Sequence, residues 1–287
     1  MTLRFFSRKQ IRDFDSFAPD ESLGHYEPYR EAILKDMAYM RSLVPEEVFL
    51  TARDGTQLAG ALFERGFSRT VLLFHGYCST PANNFSTIAR AFLERGWNVL
   101  AVHQRGHGKS GGRFTAFGLV EQYDLLDWVA FMEARFPSRP LALYGISMGG
   151  ASIAYASDRL TDTAVRAGVI ECGYGCPCDY AWDGKKASFA LRWPVVSLVR
   201  LFAKLLYGVD VRKKTYDALG NAAVPLFFLG GLEDMTVRPA LFKKCYEACS
   251  SEKALEFVPG AEHALAFAAL GCEGRERLFD FLDDQTK

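Results

Sequence analysis

Near the middle of the chain, Leu143-Tyr144-Gly145-Ile146-Ser147-Met148-Gly149-Gly150 sets a serine two residues after one glycine and two before another. The residues before Ser147 form an apolar strand and those after it suit a helix, so the serine falls at a strand-to-helix turn. A turn sharp enough to lift a hydroxyl above a sheet edge leaves no room for flanking side chains, which accounts for the glycines. The helix that follows presents its positive N-terminal end to an anionic intermediate. This spacing arises often by chance, and its place within an alternating series of strands and helices is what gives it weight. Ser147 is therefore read as a nucleophile; an ordinary strand-to-helix turn is the plain alternative.

A serine hydroxyl is a poor nucleophile until a base removes its proton. The chain has five histidines. His25 lies near the N-terminus, His75 follows the first parallel strand, and His103 and His107 fall in the loop after the second. His263, in Pro259-Gly260-Ala261-Glu262-His263-Ala264, follows the last expected strand and is the only histidine beyond Ser147. Loops at the carboxyl ends of strands converge in an open α/β sheet, and the chain order serine, acid, histidine suits this arrangement. His263 is the expected base.

The acid that orients it belongs between the two, in Leu229-Gly230-Gly231-Leu232-Glu233-Asp234. Asp234 is preferred because its spacing clears the strand end before the side chain turns in, with Glu233 as the alternative. Such an acid fixes the imidazole tautomer and stabilises its charged form. An oxyanion would need two backbone N–H donors. Met148 supplies one, and Tyr77, in Phe74-His75-Gly76-Tyr77-Cys78, is the expected second, with Gly76 allowing close backbone approach. His75 is expected to hold structure rather than to catalyse.

These residues need a scaffold. Val48 to Thr51 and Gln57 to Glu64 flank Asp54-Gly55, a strong hairpin signal. Further strands are expected at Val71 to Phe74, Trp97 to His103, Leu141 to Gly145, Ala167 to Glu171, Pro225 to Gly230 and Leu255 to Pro259. Helices are expected at Ala82 to Gly96, Leu119 to Arg135, from Met148, at Pro239 to Ser250 and at Glu273 to Phe281. Strands alternating with helices imply right-handed crossovers and a mostly parallel twisted sheet with helices on both faces, an α/β fold class. Three units follow: an N-terminal helical extension over 1–45, a core over 46–172 and 217–287, and an insertion over 173–216. Tyr29, Ile33, Met37 and Met40 give the extension one apolar helix face.

Together these segments make the chain resemble the α/β-hydrolase superfamily, most closely its serine aminopeptidase-like (S33-type) and acyl-hydrolase branch. The resemblance runs over about Glu46 to Phe281. It is carried by His75-Gly76, Arg105-Gly106-His107-Gly108-Lys109-Ser110, Gly145 to Gly150, Gly231 to Asp234 and His263. It implies an α/β-hydrolase fold in which residues 173–216 form a helical cap over the site. Gln104 departs from the pattern, since relatives commonly carry an aromatic or acidic residue before the Arg-Gly pair.

The expected activity is that of a serine hydrolase cleaving an ester through an acyl-enzyme, on a small-molecule ester or acyl substrate with a hydrophobic acyl group. Tyr77, Trp182 and Trp193 are the expected substrate-binding residues. An exopeptidase, with Asp179 or Asp183 holding a substrate amine, is an alternative. So are a thioesterase using Arg212 to Lys214 and a hydrolase-fold binding module. Acidic and basic residues balance at 34 each, so no overall field favours nucleic acid, and small basic clusters such as Lys185-Lys186 and Lys243-Lys244 read as solvated faces. No dinucleotide, P-loop or zinc-protease motif is present, so no cofactor is expected. Cys172, Cys176 and Cys178 match no paired metal-site spacing, and no metal is expected. No apolar run suits a membrane span or a signal peptide, and seven cysteines without an export signal suggest a reducing cytoplasm.

Overall fold

A computed structural model describes residues 24–177, 201, 204–205 and 208–287 of the chain. Its centre is a sheet of eight strands in the order β1-β2-β4-β3-β5-β6-β7-β8. The first two, β1 (Glu46–Thr51) and β2 (Gln57–Phe63), form the expected antiparallel hairpin around Asp54-Gly55. Strand β2 then pairs antiparallel with β4 (Asn98–His103), which lies beside β3 (Thr70–Phe74). From there β5 (Leu141–Ile146), β6 (Val165–Glu171), β7 (Leu226–Gly231) and β8 (Lys253–Val258) continue in parallel. The order reverses at β3, so the loops after β3 and β5 leave the sheet side by side. Ligand sites of open α/β sheets form at such a point.

The parallel strands read as continuous apolar runs because both faces are covered. Alternate residues divide between two cores. Leu72, Phe74, Leu100 and Val102 face one side, where they meet Trp128 of α3 (Glu121–Arg135), Ile153 of α4 (Met148–Ala156) and Phe242 of α6 (Pro239–Ala248). Val71, Leu73 and Val99 face the other, with Phe85 and Phe92 of α2 (Pro81–Glu94) and Phe279 of α8 (Cys272–Gln285). Two short helices, α5 (Tyr216–Leu219) and α7 (Ala266–Ala269), were not expected from periodicity.

The N-terminal segment differs in detail from its expected form. Pro28 sits in a 3₁₀ turn over Gly24–Tyr29, and the α-helix proper, α1, runs over Arg30–Ser42. A proline's missing N–H and fixed φ suit a helix start better than its interior. Ile33, Met37 and Met40 are buried as the spacing implied, and they join the same core as α2. Most of the expected cap over 173–216 lies outside the described residues, as do residues 1–23. The ends of that insertion meet, because the Thr215 amide donates to the Gly175 carbonyl at 2.7 Å. None of the described helices is long and apolar enough to cross a membrane.

Candidate active site

Ser147 stands between β5 and α4 with φ 53° and ψ −108°, a conformation that L-residues adopt only under constraint. Two features impose it. The Ser147 amide donates to the Glu171 carbonyl of β6 at 2.8 Å. Behind the serine, α4 presses against the sheet so tightly that a Cβ on Gly149 would lie 1.8 Å from the Phe74 carbonyl oxygen. Only glycine permits that approach.

The Ser147 hydroxyl lies 2.9 Å from His263 Nε2, and His263 Nδ1 lies 2.7 Å from Asp234 Oδ2. Residues 147, 234 and 263 are thus brought into one hydrogen-bonded line from three separate loops. The acid is itself fixed, since its second oxygen, Oδ1, accepts the Thr236 and Val237 amides, each at 2.8 Å. That turn aims Asp234 inward and leaves Glu233 exposed, which separates the two carboxylates that the sequence left open. A Cβ on Gly231 would lie 2.1 Å from the Ala261 carbonyl, so a bare glycine lets the histidine loop rest against the end of β7.

The loop after β3 is held by side chains rather than by regular structure. Gly76 N–H donates to Asn84 Oδ1 at 2.8 Å, and Cys78 N–H donates to His107 Nε2 at 3.1 Å. Between them, the Gly76 carbonyl lies 2.8 Å from His75 Nδ1. Since His75 Nε2 accepts the Gln104 amide at 3.1 Å, Nδ1 must carry the proton and donate it to that carbonyl. In a trans peptide the N–H points opposite to the C=O, so this bond directs the Tyr77 N–H away from the His75 ring. Gln104, the departure from the family pattern, donates its side-chain amide to the His75 carbonyl at 2.6 Å and so serves the same loop. A Cβ on Gly76 would lie 3.5 Å from Ser147 Cβ, an ordinary contact, so the loop borders the serine without demanding glycine there. Met148 opens α4, where leading amides have no partner within the helix.

Burial keeps the histidines of this region neutral. It pulls His75 well below its ordinary value, with repulsion from His107 and His103 adding to the effect. His107 is lowered by burial too, although its bond to the Arg105 carbonyl resists the shift. Neutral rings are required for Nε2 to accept the Gln104 and Cys78 amides.

Glu171 is a functional neighbour that sequence reasoning missed. Its carboxylate is fully buried, accepting the Tyr144 hydroxyl at 2.7 Å and the Phe267 amide at 3.2 Å, and burial raises its pKa. It thereby ties β5 and α7, which follows His263, to the strand end that holds the Ser147 amide. A glutamate closing an otherwise apolar strand run was the available signal. Cys172, singled out in the sequence only with Cys176 and Cys178, lies instead beside Asp234 and His263. One ligand atom each from Cys172, Asp234 and His263 lie within 4.8 Å of one another, making these the described residues with the donor set for a metal ion. An ion there would have to displace the His263–Asp234 hydrogen bond. None of the six described cysteines is in a disulfide, and Cys178 lies outside the described residues.

Tyr77 is half-buried, its ring 5.0 Å from Phe117 and 6.2 Å from His107. Trp182 and Trp193, the other two expected substrate contacts, lie outside the described residues.

A mostly parallel sheet with a strained serine at the turn after β5, and with an acid and a histidine following β7 and β8, defines an α/β-hydrolase. The family model described as serine aminopeptidase, S33, matches residues 67–215, just over half of the chain, and the protein belongs to that family of hydrolases. It is similar to an esterase of Pyrococcus furiosus, at 25% identity and a TM-score of 0.68, covering 87% of this chain and 94% of that one. Among curated sequences it is 27% identical to the uncharacterized protein YqkD of Bacillus subtilis over 76% of this chain and 72% of that protein. It is 25% identical to the caffeoylshikimate esterase of Arabidopsis thaliana, over 72% and 76% respectively.

Proposed function

We propose that the protein is a serine hydrolase that cleaves carboxylic esters through an acyl-enzyme. The observation that carries this reading is the line Ser147 Oγ, His263 Nε2, His263 Nδ1 and Asp234 Oδ2, with separations of 2.9 and 2.7 Å at its two bonds. In this mechanism His263 takes the Ser147 proton as the oxygen attacks the ester carbonyl, and it returns that proton to the departing alcohol. A water activated by the same ring then releases the acid. Asp234 holds the ring with Nδ1–H toward itself and stabilises the imidazolium. The Met148 and Tyr77 amides receive the oxyanion. Tyr77 and Phe117 offer an aromatic wall beside that loop, which supports a hydrophobic acyl group. The esterases among the similar proteins point the same way.

Intact mass after treatment with a fluorophosphonate tests the chemistry. One adduct is expected on wild type, none on Ser147→Ala, and slow labelling on His263→Ala. Absence of an adduct on folded wild type would refute the reading. An ester series then tests the acyl preference, which fails if rates drop steadily once the acyl chain exceeds acetyl. The family description favours an aminopeptidase as the second reading. Turnover of aminoacyl arylamides faster than esters would install it instead.

A further inference from the structure

The N-terminal segment reaches the site from behind. Tyr26, buried in the 3₁₀ turn before α1, accepts a hydrogen bond from Asn84 Nδ2 through its hydroxyl. Asn84, on the first turn of α2, accepts the Gly76 amide through Oδ1 at 2.8 Å. The orientation of this side chain is forced, because a backbone N–H can only donate. The oxygen must face Gly76, which leaves the amino group for Tyr26. A Cβ on Gly76 would stand 3.5 Å from Ser147 Cβ, so this chain of bonds ends beside the serine. The next peptide is the one whose carbonyl His75 holds, and it carries the Tyr77 N–H.

We propose that Tyr26 and Asn84 are positioning residues for the oxyanion loop, so that the N-terminal segment completes the hydrolytic site as well as covering a core face. The proposal rests on the acyl-transfer reading of the site given above. Its physical basis is that residues 75–80 belong to no strand or helix, so their amides take direction from side-chain acceptors. Asn84 fixes the peptide before Gly76 and His107 fixes the one before Cys78. Together with His75 they leave the Tyr77 amide between three anchored groups. Asn84 can swing about its own side-chain torsions unless its amino group is held too, and Tyr26 holds it. Ile33, Met37 and Met40 bury the same segment with no polar link to the loop. The Tyr26 hydroxyl is therefore the atom that separates positioning from packing. The family match begins at residue 67, so this contribution comes from outside the span that defines the family.

Tyr26→Phe keeps the ring and removes only that oxygen, and Asn84→Ala removes the acceptor itself. Loss of one oxyanion donor costs on the order of 10²–10³ in rate, which bounds the effect. Ester kcat is expected to fall about tenfold in Tyr26→Phe and about a hundredfold in Asn84→Ala, with KM within about twofold of wild type. A hydroxyl that acts through Asn84 makes the double variant no slower than Asn84→Ala. Hydrogen exchange should quicken across residues 75–80 in both single variants and stay unchanged in β5. Met37→Ala serves as the packing control and should lower Tm while leaving kcat in place. Unchanged kcat and unchanged exchange in both single variants would overturn the proposal. So would a loss of kcat in Met37→Ala matching that of Tyr26→Phe. If wild type takes no fluorophosphonate, the hydrolase reading fails, and exchange at residues 75–80 still decides whether Tyr26 and Asn84 hold the loop.

Discussion

His263 and Asp234 illustrate how little freedom this hydrogen-bonded pair is given. The acid accepts two backbone amides on one oxygen and the imidazole on the other, so neither can rotate without losing a bond. Asp234→Asn keeps the shape but offers an amide to Nδ1, favouring the wrong tautomer. Its kcat for ester hydrolysis should fall by about 10³–10⁴ with Tm nearly unchanged, measured by steady-state kinetics and thermal melting. His103 makes a different residue-scale prediction. Burial, helped by repulsion from Lys109 and His107, pulls it down to about 4. The unfolded chain protonates it near pH 6.5, so below that value the unfolded state binds more protons and stability falls with pH. His103 contributes fully above about pH 6.5 and loses roughly 2 kcal/mol of that contribution by pH 5. The stability difference between wild type and His103→Asn, from urea titrations at pH 7.5 and 5, should narrow by about that amount.

At the scale of elements, the loop after β4 is the keystone beside the site. Arg105 is buried and grips the equally buried Asp124 of α3 with two nitrogens, while its remaining nitrogen reaches Asp54 in the β1–β2 turn at 2.9 Å. Ser110 closes the same loop by accepting the Ala59 amide at 2.9 Å. The loop in turn supplies Gln104 and His107 to the loop after β3, where they meet His75 and Cys78. Breaking a buried ion pair from one side leaves an uncompensated charge, at a cost of about 3–5 kcal/mol. Arg105→Met should show that loss in urea unfolding, together with a drop in fluorophosphonate labelling rate as the loop after β3 loosens. Gly149→Ala tests the other packed junction. Its methyl would meet the Phe74 carbonyl backbone, which cannot yield without separating α4 from β3. Soluble folded protein is not expected from that variant, as judged by expression and circular dichroism.

Across the whole molecule, the sheet is sealed on both faces, and the N-terminal helix is part of one of those seals. Met40 is fully buried among residues of α2 and the sheet. Met40→Ala should cost about 2–5 kcal/mol. It should also keep a single unfolding transition by fluorescence and circular dichroism, because α1 shares its core with the sheet rather than forming one of its own. The exposed ion pairs, such as Arg30–Glu27 and Lys243–Glu247, are worth little by comparison.

Much of this was legible in the chain. The alternation of apolar strands with amphipathic helices has a period that local chemistry imposes, so β3 to β8 and the long helices fell within a few residues of expectation. Ser147 was legible because a sharp turn requires its glycines, and His263 because no other histidine follows the serine. Asp234 was separable from Glu233 only by the fold: both carboxylates sit in one loop, and the Thr236 and Val237 amides decide which turns inward. Asn84 and Tyr26 were not legible, since each is an ordinary residue for its element, and Glu171 offered only a carboxylate at a strand end; they matter through partners 58 and 96 positions away in some cases and eight in another. Short helices such as α5 and α7 carry too few residues for a period to register. Local sequence determined which elements form and where a nucleophile could stand. Only tertiary packing decided which polar groups meet beneath it, because a buried hydrogen bond depends on where distant strands end.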